Sequence, residues 1–86
     1  MNKREKRLHK RNEVVVARFF YWSDIKRRRF DDAINKLENE EFFIEYQTIS
    51  KILSVYDRYY TSLKVMPRGD IVIKYLKDTY PSWNWN

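Results

Sequence analysis

Apolar residues keep helical spacing from Ile49 to Leu63, and this feature constrains the fold more than any other. Between these two positions, Ile52, Leu53, Tyr56 and Tyr60 follow one another at steps of one, three or four residues. Side chains at such steps share one face of an α-helix. The opposite face carries polar side chains, namely Gln47, Ser50, Lys51, Ser54 and Arg58. The spacing predicts one amphipathic helix over about 46–63.

The rest of the sequence offers little to interrupt a helix. It has one Gly and two Pro in 86 residues, whereas an all-β domain needs turn residues every ~8–12 positions. Apolar spacing predicts further helices at about 13–27, 30–41 and 70–79, with a loop at 65–69 and Asp70 as the cap of the last helix. We therefore expect an all-α fold, a small bundle of about four helices. The expected core comprises Phe19, Trp22, Ile34, Leu37, Phe42, Ile49, Ile52, Leu53 and Tyr56.

Charge falls into blocks along the chain. Residues 1–29 carry 11 basic and 3 acidic side chains, residues 30–45 carry 1 and 6, and residues 46–86 carry 6 and 3. We therefore divide the chain into a basic N-terminal arm, 1–11, and a single helical domain, 12–86. A surface polarised in this way attracts polyanions. The arm is either a solvated terminus or a segment that neutralises phosphates.

Several function classes lack the residues they need. The absence of Cys excludes a disulfide scaffold, a thiolate zinc site and a cysteine nucleophile. The chain contains neither a Gly-rich phosphate loop nor a pattern of nucleophile and base, and no apolar run approaches the ~18 residues of a membrane span. We expect no enzyme activity, no cofactor, no metal, no membrane association and a cytoplasmic location. The lone His9 is expected to be exposed without a role, and Asp31 and Asp32 to cap a helix.

Residues 30–56 have the organisation of a helix-turn-helix. A short helix precedes a tight apolar connection, and a longer helix reading TISKIL follows. Phe42 and Ile44 would seal the turn, while Ile49 and Ile52 would face the core. The side chains between them would then point outward, where a DNA groove could receive them.

The stretch ENEEFFIEYQTISKIL, residues 38–53, resembles helix-turn-helix DNA-binding proteins of the transposase and sigma-factor-region-four type. It is also similar to small proteins of bacterial mobile elements in which EEFF precedes a short helix. The resemblance implies DNA binding through the start of the second helix. Two positions depart from the pattern: Phe43 stands in the turn where the family commonly has Gly, and Glu45 lies beside the proposed groove face, where it repels phosphates.

Three groups of residues form the expected DNA-binding surface. The second helix supplies Tyr46, Gln47, Ser50, Lys51, Ser54 and Arg58. Arg27, Arg28 and Arg29 would clamp the phosphate backbone, or else form a solvated turn between helices. The arm supplies Lys3, Arg4, Lys6, Arg7, Lys10 and Arg11.

Two functions from different classes are favoured, and RNA binding remains open as a third. The first is a small protein that binds double-stranded DNA, such as a regulator or accessory protein of a mobile element. The second is a helical protein-interaction module that docks an acidic partner without nucleic acid, in which 42–53 is an ordinary corner between helices. Tyr59, Trp83 and Trp85 either pack the C-terminal tail or contact a second copy in a homodimer.

Overall fold

The computed structural model describes residues 2–67 and 69–86, and these residues form helices and no strand. The all-α prediction is confirmed, with five α-helices in place of about four. They are α1 (Lys3–Phe20), α2 (Phe30–Lys36), α3 (Tyr46–Val55), α4 (Asp57–Val65) and α5 (Asp70–Thr79). Met1 of the predicted arm and Arg68 of the predicted loop lie outside the described residues. No helix in the described part of the chain is long and apolar enough to cross a membrane.

α1 begins at Lys3, well before the predicted start near residue 13. The Asn2 side chain caps the helix by accepting a hydrogen bond from the Glu5 backbone N–H at 2.8 Å. The arm lacks apolar periodicity, but its Lys, Arg and Glu residues have high helix propensity, and it contains neither Gly nor Pro. Residues 3–11 of the arm are therefore helical and continuous with the buried half of α1.

The connections that follow α1 and α2 are built in the same way. Each helix widens into a π-helical turn, Tyr21–Ile25 after α1 and Leu37–Glu41 after α2. Two residues beyond each π-turn stands a left-handed residue, Arg27 in the first connection and Phe43 in the second, both with φ of 56°. An extended residue then leads into the next helix. Both corners thus use a conformation that normally favours glycine.

The predicted helix over 46–63 is wrong as a single element, because Tyr56 divides it into α3 and α4. Tyr56 has φ −99° and ψ 25°, outside the helical region. The break lets one apolar face cover two core clusters, since Ile49 and Ile52 pack in the first and Leu63 in the second. Apolar spacing continues across the break, so periodicity alone does not reveal it.

The core consists of two clusters that α1 connects. Val15, Val16 and Phe19 of α1 pack with α2 and α3. Ala17, Phe20 and the π-turn pack with α4, α5 and the C-terminal tail. Of the expected core residues, the buried ones are Phe19, Ile34, Leu37, Ile49 and Ile52, and the half-buried ones are Trp22, Phe42, Leu53 and Tyr56.

The start of α5 differs from the prediction. Gly69, with φ of 78°, precedes the helix, and Asp70 is its first residue rather than its cap. Asp70 therefore acts through its charge in the first turn, where the helix dipole favours a carboxylate.

Candidate nucleic-acid interface

The α3 helix has one face in the core and one in solvent. Ile49 is fully buried and Ile52 is nearly so, both against α1 and α2. The polar side chains that the sequence places between them are exposed, namely Gln47, Ser50, Lys51 and Ser54, and Tyr46 is 46% exposed. Since the core fixes the rotation of α3, this polar face is presented in one orientation.

The turn between α2 and α3 is held by contacts on both sides. Phe42 and Ile44 are half-buried against the first core cluster, and the Phe42 ring stacks on Trp83 with 5.1 Å between centroids. Glu38 reaches across the turn and accepts a hydrogen bond from the Tyr46 backbone N–H at 3.1 Å. These contacts fix the position of α3 relative to α2.

A groove between α1 and α3 brings one arm residue beside the exposed face of α3. Its volume is about 310 Å³, and its lining residues are Arg11, Asn12, Thr48, Lys51, Ile52, Val55 and Tyr56. Arg11 is oriented by two hydrogen bonds to the Asn12 amide oxygen, at 3.1 and 2.8 Å. The groove therefore presents two cations from different helices in one place, which suits contact with an anion.

His9 has more partners than the sequence indicates. Its Nδ1 lies 2.9 Å from the Tyr56 hydroxyl, and its Nε2 lies 3.8 Å from Glu13 Oε1. His9 is exposed, as expected, but it is not without contacts. His9 ties the exposed half of α1 to the corner between α3 and α4.

The remaining predicted basic residues are distributed over other parts of the surface. Arg27 lines a separate depression with Asp24, Ile25 and Gly69, which shares no residue with the Arg11–Lys51 groove. Arg28 and Arg29 are exposed on the connection to α2. Arg58 is exposed on α4 rather than on α3. The arm residues that are exposed on the first turns of α1 are Lys3, Arg4, Lys6, Arg7 and Lys10.

The N-terminal end of α3 is acidic. Glu45 is the exposed residue that precedes the helix, and Glu38 already bonds the first backbone N–H. Helix N-termini ordinarily attract phosphates, but here the chain's own carboxylates occupy that position. Any phosphate contact of α3 must therefore come from its middle, near Lys51.

The described residues contain no group of carboxylates and histidine that could hold a metal ion. Asp31, which the sequence places at a helix start, accepts from the Asp32 backbone N–H at 3.1 Å. This contact lies at the start of α2. The expected cap is therefore wrong, because the N-cap of α2 is Arg29, without a side-chain hydrogen bond. Asp31 and Asp32 lie in the first turn, where the helix dipole favours their charge.

Sequence reasoning did not identify the buried ion pair between Arg18 and Glu41. Arg18 is 4% exposed, and its guanidinium donates to both Glu41 oxygens, at 2.9 and 2.6 Å. Trp22 Nε1 donates to the same carboxylate at 3.0 Å, and Arg18 also donates to the Asn84 carbonyl oxygen. The available signal was Arg18 itself, a charge inside an apolar run, since such a residue is buried only when it is paired.

Four aromatic rings surround the Arg18 guanidinium, with ring centroids 4.6–5.5 Å from Cζ. They belong to Tyr21, Trp22, Trp83 and Trp85. We call Arg18, Glu41 and these rings the Arg18 cage. Because Trp85 is also buried in the second core cluster, the tail docks on its own chain.

Three tyrosine hydroxyls meet between α4 and α5. Tyr59 Oη lies 2.9 Å from Tyr75 Oη and 2.5 Å from Tyr80 Oη. Burial raises the pKa of Tyr59 far above its ordinary value and raises the pKa of Tyr80 to about 12. A raised pKa disfavours the tyrosinate that a nucleophile would need, so this tyrosine cluster is a packing feature.

Comparisons of the chain with protein-family models, with curated protein sequences and with solved structures found no match.

Proposed function

We propose that this protein binds double-stranded DNA, with α2 and α3 as a helix-turn-helix and the exposed face of α3 in the major groove. One observation supports the proposal above all: the core holds α3 so that its polar face is exposed, and the groove beside that face pairs Lys51 with Arg11. The major groove of B-DNA is about 12 Å wide and admits an α-helix.

The proposal assigns different roles to the two parts of this surface. Arg11 and Lys51 contact phosphates, which positions the protein on the duplex. Gln47, Ser50 and Ser54 carry donors and acceptors of the kind that read base edges. The basic first turns of α1 and the Arg27–Arg29 run add sequence-independent attraction. A homodimer would bring two such surfaces to one duplex.

The resemblance of residues 38–53 to transposase-type helix-turn-helix proteins supports the same function. Within the proposal, the protein is a cytoplasmic regulator or accessory protein of a mobile element. The turn gives this resemblance physical support, because Phe43 has the left-handed backbone that the family's turn glycine would suit.

A second candidate function has its own supporting observation. Val55 is 69% exposed and lines the Arg11–Lys51 groove. An exposed apolar side chain in a groove that also holds two cations suits an acidic, partly apolar segment of another protein. On this alternative the protein is an interaction module that docks an acidic partner.

A titration on random duplex DNA at about 50 and about 200 mM salt tests the proposal. The parent protein should bind and lose affinity steeply as salt rises. Each phosphate contact removed by Arg11→Gln or Lys51→Gln should reduce the slope of log K against log salt by about 0.9. Lys77→Gln is the matched control, because Lys77 is exposed on α5, and it should leave the slope unchanged. Absence of binding at low salt would refute the proposal and favour the acidic partner.

A further inference from the structure

Phe43 has a strained backbone, and its side chain makes little compensating contact within its own chain. Its backbone has φ of 56°, a left-handed conformation that glycine adopts without strain. Its side chain is 76% exposed, so little of the ring's surface is removed from water within the chain. A strained residue that does not stabilise its own fold points to a function such as binding another molecule.

The surroundings of Phe43 define the chemistry of what would cover it. Phe43 lines a depression together with Glu38, Asn39, Ile44 and Glu45. We call these five residues the Phe43 patch. An apolar centre beside two carboxylates repels nucleic acid and suits a cationic segment with an exposed apolar residue.

The first turns of α1 have this complementary chemistry. Residues 3–10 carry five basic side chains and one acidic one, and all of them are exposed. Leu8, in the middle of this segment, is 40% exposed. The segment is a helix continuous with the buried part of α1, and it extends about 12 Å at 1.5 Å per residue.

The segment cannot reach the Phe43 patch of its own chain. His9 contacts Tyr56 at the C-terminal end of α3, and Arg11, one half-turn later in α1, lines the groove that runs along α3. Phe43 lies before the N-terminal end of the same helix, and α3 is about 15 Å long. Since α1 is unbroken, these basic turns remain at the opposite end of α3 and are available to a second molecule.

We propose that the Phe43 patch of one molecule binds the basic first turns of α1 of a second copy. Leu8 covers Phe43, while Lys and Arg side chains of the segment meet Glu38 and Glu45. The contact is head-to-tail: each molecule binds one neighbour through its Phe43 patch and another neighbour through the first turns of its α1. The proposal concerns the protein alone and its test needs no DNA, although the contact uses the same basic turns that are proposed to attract DNA.

Sedimentation velocity of the full chain over a range of concentrations tests this contact. The parent should associate as concentration rises, and high salt should weaken the association. Phe43→Gly and Leu8→Glu should each weaken it more than roughly tenfold, as expected when an anchor residue of an interface is lost. Val65→Ala is the control, because Val65 is also 76% exposed, and it should associate like the parent. Circular dichroism checks that each variant is folded.

Mixing the two defective variants tests the head-to-tail geometry. Phe43→Gly keeps a functional α1 segment and Leu8→Glu keeps a functional patch, so an equimolar mixture should form a one-to-one dimer that does not grow further. A parent that stays monomeric at every concentration would overturn the proposal. So would a Phe43→Gly variant that associates like the parent, or a mixture that fails to restore association.

Discussion

Two non-glycine residues, Arg27 and Phe43, adopt left-handed backbone at equivalent positions of the two helix connections. For an L-residue with a β-carbon this conformation costs roughly 1–2 kcal/mol. The only glycine of the chain stands elsewhere, before α5. Both connections therefore hold backbone strain that a single substitution can release.

Phe43→Gly should raise the free energy of unfolding by about 0.5–1 kcal/mol. The strain that is released exceeds the extra freedom that glycine gives to the unfolded chain, which costs roughly 0.5–1 kcal/mol. Urea denaturation of the protein at low concentration measures the difference. Phe43→Ala is the matched control, because it removes the ring and keeps the β-carbon. Equal stability of the Gly and Ala variants would show that the backbone conformation is not the cause.

The Arg18 cage joins helices and turns that are far apart in sequence. It connects α1, the π-turn after α2 and the C-terminal tail through one guanidinium. A neighbouring pair, Lys36 and Glu40, lies on the surface at 3.3 Å. The two pairs offer a direct comparison, because the Glu41 side chain is 11% exposed and that of Glu40 is 52% exposed.

Glu41→Gln should lower the free energy of unfolding by about 3–5 kcal/mol, since it leaves the buried Arg18 charge without its partner. That is a large part of the roughly 5–15 kcal/mol that holds a small domain together. Glu40→Gln should cost less than about 1 kcal/mol, as surface pairs do. Chemical denaturation followed by tryptophan fluorescence measures both. If Glu41→Gln and Glu40→Gln lower the free energy of unfolding by similar amounts, the Arg18 cage does not stabilise the fold as proposed.

How far the sequence predicts these elements depends on whether the determinants are local. The bounds of α5 and the extent of α2 with its π-turn follow from local spacing, and the structure agrees with them. The break at Tyr56 leaves the apolar spacing intact, so it depends on the packing of two clusters. The same holds for the site: spacing identifies the exposed face of α3, whereas the pairing of Arg11 with Lys51 depends on how α1 packs on α3.

The tyrosine cluster makes the stability of the protein depend on pH in the alkaline range. The folded state keeps Tyr59 and Tyr80 neutral, because burial raises the pKa of both, that of Tyr80 to about 12. Unfolded tyrosines lose their protons near pH 10. The stability contributed by the cluster is therefore complete below pH 10 and is lost as the pH rises toward 12.

The free energy of unfolding should consequently fall between pH 10 and about 12. Tyr59→Phe and Tyr80→Phe should each reduce this fall, because they remove a buried group that must otherwise stay protonated. Urea denaturation at several pH values across this range measures it. Tyr46→Phe is the control, since Tyr46 is exposed on α3 and outside the cluster. If the free energy of unfolding falls as steeply with pH in the cluster variants as in the parent, titratable groups outside the cluster cause the fall.

The distribution of charge over the molecule also bears on the proposed function. The Arg11–Lys51 groove runs along α3 from Thr48 to Tyr56, while Glu38 and Glu45 lie at the N-terminal end of the helix. If α3 enters a groove, Glu45 lies near phosphates and weakens binding to any duplex. Removing that charge should therefore strengthen sequence-independent binding, which distinguishes Glu45 from residues that read bases.

Selection of binding sites from random duplexes, followed by titration on the winning and a scrambled duplex, shows whether α3 reads DNA sequence. Gln47→Ala should reduce discrimination between the two duplexes by about 1–3 kcal/mol for a good base contact. Lys51→Ala removes a phosphate contact and should weaken binding to both duplexes alike. Their stability should barely change, because both side chains are exposed. Glu45→Gln should raise affinity for both duplexes. If no sequence is enriched, or if all three variants bind both duplexes like the parent, α3 does not read DNA.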